Sequence, residues 1–116
     1  MPDLDDMTRG ELVREHSPEL TGKDRRDLRG RGHDLHPVVL VGDAGVSDGV
    51  VDQFEQQIEA HELIKVKVHA KSMIAETARR LHEATGAQLA QSIGNVLLFY
   101  KPHPEDPAIE LPSDSS

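Results

Sequence analysis

VVLVGDAGVSDGVV, residues 38–51, is the stretch that decides the fold. Residues 38–41 are four apolar β-formers in a row, a pattern that predicts a short strand buried on both faces. Gly42 interrupts the run and Gly45 follows it. Ser47 or Asp48 then caps a helix in which Val50, Val51, Phe54 and Ile58 form an i, i+4, i+7/8 apolar stripe. Strand, glycine turn and amphipathic helix in that order predict an α/β unit.

Reading outward extends the unit in both directions. Upstream, Thr21 caps a helix over residues 23–31, with Leu20 and Leu28 apolar and Gly30 and Gly32 weakening its end. Pro37 fixes the approach to the first strand. Downstream, residues 63–69 alternate, placing Ile64, Val66 and Val68 on one face and Lys65, Lys67 and His69 on the other. Ser72 is the expected cap of a third helix, with Ile74, Ala78 and Leu81 inward and Gly86 just past its end. Residues 89–93 and 96–100 form a closing hairpin around Gly94-Asn95. The order α-β-α-β-α-β-β predicts an α/β (α+β) two-layer sandwich with a mixed four-stranded sheet. Its second and third helices should cover the Ile64, Val66 and Val68 face.

At 116 residues the chain supports one domain. Residues 1–18 are expected to be an acidic flexible leader, 19–104 the domain, and 105–116 a disordered acidic tail. Aromatic residues are confined to Phe54, Phe99 and Tyr100, so the core is aliphatic and a multi-aromatic base-stacking platform is excluded. With 0 Cys, disulfides, Cys-ligated zinc and thiol catalysis are excluded. The start, MPDLDDMTRGELV, lacks the apolar stretch of a signal peptide, and no segment approaches the ~18 apolar residues of a membrane span. The expectation is a cytoplasmic monomer with no membrane association.

The net charge of −8 is unevenly placed. Residues 1–19 hold six acids and two bases, residues 105–116 hold four acids and no base, and residues 20–104 balance at eleven of each. Within that neutral body, 20–33 carries five bases against two acids, and 47–62 carries five acids and no base. The domain is therefore dipolar, and its local fields matter more than its total charge.

Two stretches carry candidate chemistry. Gly42, Asp43, Ala44 and Gly45 form a G-x-x-G turn that lacks the spacing of G-x-G-x-x-G and the Gly-Lys-Ser/Thr of a Walker loop. Such a turn can hold a phosphate, because glycines permit close backbone approach and the helix N-terminus beyond is a partial positive pole. It can equally be a plain strand-to-helix turn, and Asp43 favours that reading. The second stretch, TGKDRRDLRGRG, places Lys23 with Arg26 on one face and Arg25 with Arg29 on another. It reads as a phosphate-contacting surface or as a solvated face with Asp24 and Asp27 as internal partners.

Other chemistry finds no support. His33 and His36 have no third ligand nearby, so no metal is expected. His61 and His82 read as surface residues. Asp52, Glu55 and Glu59 follow a solvent face, and nothing places a nucleophile beside a base, so no enzyme activity and no cofactor are expected.

Taken together, the basic helix, HDLHPVVLVGDAGVSDGVV, ELIKVKV and ATGAQLAQSIGNVLLFYKP resemble, in that order, the CRM domain (chloroplast RNA splicing and ribosome maturation). The likeness is to its bacterial stand-alone YhbY-like members and spans about residues 20–104. The resemblance implies a fold similar to the C-terminal domain of translation initiation factor three. It also implies RNA binding and an association with precursors of the large ribosomal subunit. By position it assigns RNA contact to the loop Gly42, Asp43, Ala44 and Gly45, to Lys23, Arg25, Arg26 and Arg29, and to Lys65 and Lys67. Asp43-Ala44 and the acidic ends depart from what RNA binding favours. The rival expectation is a protein-interaction module docking the acidic face of the second helix (Asp48, Asp52, Glu55, Glu59, Glu62) on a basic ribosome-associated partner such as a ribosomal protein.

Overall fold

The structure, a computed structural model, describes residues 8–115. Its elements are α1 (Arg9–Glu15), α2 (Gly22–Gly32), β1 (Pro37–Val41), α3 (Asp48–His61), β2 (Leu63–Val68), α4 (Ile74–Thr85), β3 (Gln88–Ile93) and β4 (Val96–Tyr100). From α2 onward these are the expected elements in the expected order. The sheet runs β1-β2-β4-β3, with β1 and β2 parallel and β4 antiparallel to both neighbours. The final strand thus inserts between β2 and β3, leaving β1 and β3 as the edges.

The alternation in β2 sorts the two faces. Ile64, Val66 and Val68 join Val39, Val41, Leu97 and Phe99 in a buried cluster covered by Phe54 and Ile58 of α3 and by Ala78 and Leu81 of α4. Phe54 and Phe99 meet edge to face at 5.1 Å, a favourable aromatic geometry. α3 begins where expected, with Ser47 Oγ accepting from the Val50 N–H. Gly86 takes the left-handed conformation after α4, at φ +78. Ser72 does not cap α4: it lies inside a 3₁₀ turn, Lys71–Met73, that feeds directly into the helix.

The opposite face carries a second cluster. Leu28 and Leu20 pack on Leu63, Leu98, Tyr100 and Ala90. The Cβ position of Gly32 lies only 2.8 Å from a Leu98 methyl, so glycine lets the end of α2 rest directly on the sheet. α2 covers only part of this face. Strand β1 is therefore not buried on both sides as its apolar run predicted: Val39 and Val41 are buried, but Val38 and Leu40 are exposed, Leu40 at 66%. A run of apolar residues does not distinguish a central strand from an edge strand whose outer face serves something else.

Within the described residues, 8–16 and 108–113 dock on the body, which differs from the flexible leader and tail expected. Thr8 caps α1, which lies along β3: Leu12 enters the main cluster, Leu89 N–H donates to His16 O at 2.8 Å, and Arg9 donates to Ser92 O at 3.1 Å. One buried leucine and a capped turn are too short a signal for periodicity to detect. Residues 1–7 and Ser116 lie outside the described residues. At the other end, Ile109 and Leu111 pack on the second cluster. Glu62 accepts from the N–H groups of Ala108 (2.6 Å) and Ile109 (3.3 Å), and Asp24 accepts from Ser113 N–H (3.0 Å) and Oγ (2.7 Å). Glu62 holds a positive φ of 63, a conformation unfavourable to a side-chain-bearing residue, while its carboxylate anchors the tail. Three of the tail's four acids, Glu105, Asp106 and Glu110, stay in solvent while Ile109 and Leu111 dock.

Candidate nucleic-acid interface

The sheet face that α2 leaves open is built from one residue per strand. Leu40 of β1 pairs with Lys67, Lys67 with Val96, and Val96 with Ile93, forming a row across all four strands. The next row runs Pro37, Lys65, Leu98 and Gln91. Lys65 and Lys67 thus emerge on the α2 side, as their alternation with Ile64, Val66 and Val68 required.

Two adjoining clefts border these rows. One, of about 270 Å³, lies between the end of α2 and the β3–β4 hairpin and is lined by Arg29, His33, Leu35, Lys65, Gln91 and Ile93 among others. The other, of about 300 Å³, lies between α1, α2 and β3 and is lined by Arg9, Arg14, Arg25 and Arg29. Among the described residues, neither is lined by a carboxylate, and neither is lined by a residue of the docked tail. Arg29 borders both.

The arginines of α2 are not equivalent. Arg25 donates to Leu20 O at 2.8 Å and Ser17 Oγ at 3.3 Å, so it braces the segment before α2 while presenting charge to the cleft. Arg31 pairs with Asp27 at 2.7 Å. Arg29 is exposed and makes no hydrogen bond or ion pair among the described residues, which leaves its charge uncommitted. Lys23 and Arg26 are exposed and line neither cleft. Asp24, which the solvated-face reading would pair with these arginines, turns inward: it completes a capping box with Thr21 and holds Ser113. Burial pushes its carboxyl up, but the hydrogen bonds from Thr21 and Ser113 outweigh this and hold it below the usual carboxylate range.

The G-x-x-G turn follows β1 two residues beyond Leu40, the neighbour of Lys67. Gly45 N–H donates to Gly42 O at 3.0 Å, and Gly45 adopts φ +80, which favours glycine. Gly42 has no such need, since its φ is not positive and nothing lies within 4 Å of its Cβ position. Asp43 and Ala44 are exposed at the tip. Beyond the turn, the first N–H groups of α3 have no helical acceptor, and Ser47 satisfies only that of Val50. The Met73 methyl lies 3.9 Å from the Gly45 Cβ position, so the 3₁₀ turn bearing exposed Lys71 sits against the loop.

Three cations near these features carry no signal in the sequence: Arg9 and Arg14 lie in a leader without apolar period, and Lys71 precedes Ser72, whose pattern predicts only a helix cap. The remaining histidines hold no metal-like cluster among the described residues. His82, expected at the surface, is half-buried; its Nδ1–H donates to Ala87 O at 2.7 Å and its ring meets His16 edge to face at 5.5 Å. Arg79 and Arg80 on α4 pair with Glu76, and Arg79 also with Glu83. These contacts hold the Glu76 carboxyl below its usual range, chiefly through the Arg79 hydrogen bond. On α3, Asp48, Asp52 and Glu59 are exposed on the side of the sheet opposite α2. Glu62 is buried and anchors the tail, so it does not belong to that acidic face.

Fold and site together define a small α/β module with a mixed sheet, one face sealed by two helices and the other half-open and ringed by cations. Residues 20–101 match the CRS1 / YhbY (CRM) domain, and the chain belongs to that family. It is 41% identical over 95 residues to the Probable RNA-binding protein YqeI of Bacillus subtilis, covering 80% of this chain and 99% of that one. It is 39% identical over 98 residues to a Haemophilus influenzae protein named RNA-binding protein, covering 80% and 95%. A Staphylococcus aureus protein solved in solution and described as a candidate RNA binder superposes with a TM-score of 0.70 at 37% identity, covering 80% of this chain and 99% of that one.

Proposed function

We propose that this chain is a non-enzymatic RNA-binding module that grips RNA through its sugar-phosphate backbone. The observation that carries this is the convergence of Arg9, Arg14, Arg25, Arg29 and Lys65 from two helices and a strand onto adjoining clefts that, among the described residues, no carboxylate lines. A protein of net charge −8 that gathers five cations around adjoining clefts, Arg29 among them with no hydrogen bond or ion pair in the described residues, is arranged to meet a polyanion locally. The relatives named as RNA-binding proteins support the same reading. In this reading Gly42 and Gly45 let a phosphate approach the loop backbone and the start of α3, with Lys67 and Lys71 beside it. Lys23 and Arg26, which line neither cleft, contribute long-range attraction.

Within this proposal the RNA is ribosomal, bound during assembly of the large subunit in the cytoplasm. The resemblance to stand-alone bacterial family members supports that finer assignment. Crosslinking in cells followed by sequencing of the bound RNA tests it. Large-subunit rRNA should dominate the recovered RNA; recovery of other RNAs refutes the ribosomal assignment, and recovery of none refutes RNA binding. The rival docking surface on α3 is weakened by the inward turn of Glu62.

A further inference from the structure

We infer that the half-open sheet face takes an unpaired nucleobase of the bound RNA, in the cleft between α2 and the β3–β4 hairpin; this rests on the RNA reading above. A surface that bound phosphates alone would have no use for exposed apolar residues. Yet Leu40 is 66% exposed and Ile93 61%, at the two ends of the row that Lys67 and Val96 complete. Exposed apolar side chains set among cations fit a ligand that is both flat and apolar and strongly anionic, which describes an unstacked nucleotide.

The cleft has the right scale and chemistry. Its volume of about 270 Å³ is room for a single base and too little for a duplex. Leu35, Ile93 and Val96 supply apolar wall, and Arg29 and Lys65 supply positive charge at its border. Gln91 lines it with an amide that makes no hydrogen bond among the described residues. A free amide offers two donors and an acceptor, the set needed to pair with a base edge. In an A-form duplex those edges lie in a major groove too narrow to admit side chains or in a shallow minor groove, so the base must come from a loop, bulge or single strand. That no carboxylate lines the cleft among the described residues favours a nucleic acid over a basic protein as its occupant.

The test compares two RNAs of equal charge, a hairpin with 2-aminopurine in its loop and a fully paired duplex, by fluorescence and anisotropy at 0.1 M salt. The full-length chain should bind the hairpin about tenfold more tightly and change the loop fluorescence. Gln91→Ala and Ile93→Ser should each weaken hairpin binding about fivefold to tenfold and change duplex binding less than about twofold. Melting curves confirm that each variant folds. Equal affinity for both RNAs with no effect of either variant overturns base capture and leaves backbone binding standing. Equal weakening on both RNAs also overturns it, since the residues then serve backbone contact. Failure of the unaltered chain to bind either RNA refutes the underlying RNA reading. Normal RNA binding by variants that no longer retain a ribosomal protein assigns the face to a protein partner instead.

Discussion

Arg29→Ala is the substitution whose consequence follows most directly from the geometry. Arg29 borders both clefts and is committed to no partner within the described protein, so its removal should subtract a ligand contact without loosening the fold. Neutralising one phosphate contributes about 0.7 to 0.9 to the slope of log affinity against log salt. If about four phosphates are contacted, the unaltered chain has a slope of roughly −3 and loses ~60-fold in affinity between 50 and 200 mM salt. The variant should have a slope near −2.2 and lose only ~20-fold over the same range. At 0.1 M salt it should bind ~5-fold more weakly, and the two curves should converge towards 1 M. Filter binding or anisotropy across a salt series measures both slopes. An exposed, unpaired side chain contributes within about 0.5 kcal/mol to stability, so the melting temperature should move by less than ~4 °C. An unchanged slope with unchanged affinity would remove Arg29 from the interface and refute the placement of phosphates along the clefts.

Arg25→Ala should behave differently, weakening RNA binding and also lowering the melting temperature, because its guanidinium ties Leu20 and Ser17 to α2; a binding loss with no stability loss would show that brace to be dispensable. Asp43→Lys replaces a carboxylate at the loop tip with a cation and should tighten RNA binding ~5-fold at 0.1 M salt; unchanged affinity returns the loop to a plain turn. Gly32→Ala drives a methyl towards Leu98 and should cost about 1–2 kcal/mol, the overpacking cost reduced by the better helix propensity of alanine; a raised melting temperature would mean that Leu98 swings aside freely. The Asp24 carboxyl titrates lower in the folded chain than in the unfolded one, so its contribution is complete above the ordinary aspartate pKa and is lost as pH falls through the folded value. Melting temperature followed from pH 6 to 2.5 should drop in that acid range, and Asp24→Asn should lower it at pH 6 while flattening the acid limb; an unchanged acid limb would place the pH dependence elsewhere.

Most of the fold was legible because its signals are periodic. The alternation of residues 63–69, the stripe of Phe54 and Ile58, and the Gly94-Asn95 turn each specify an element and the face it buries. What was not legible depends on contacts distant in the chain. Nothing local reveals that β4 slots between β2 and β3, or that one leucine in an acidic leader and Ile109 and Leu111 in an acidic tail find apolar surface on the body. The same limit applies to the site. Residue type and spacing pointed to the α2 cations and the two lysines of β2, but not to which arginines face the sheet, which brace the fold, and which stand apart. Asp24 and Glu62 look like ordinary surface acids in the sequence and become tail anchors only because residues 108–113 return to them. The apolar run in β1 reads as a strand buried on both faces because solvent-facing Val38 and Leu40 carry no polar mark of exposure.

The claim that RNA lies on the cationic sheet face is tested most directly by following backbone amide signals of the full-length chain while an rRNA fragment with an unpaired loop is added. The perturbed amides should trace α2 from Arg25 through its C-cap His33, the strands at Lys65, Lys67, Gln91 and Ile93, and the loop from Gly42 to Gly45, while α3 at Asp52 and Glu59 stays unchanged. Perturbation centred on α3, or spread evenly over the surface, would contradict the account.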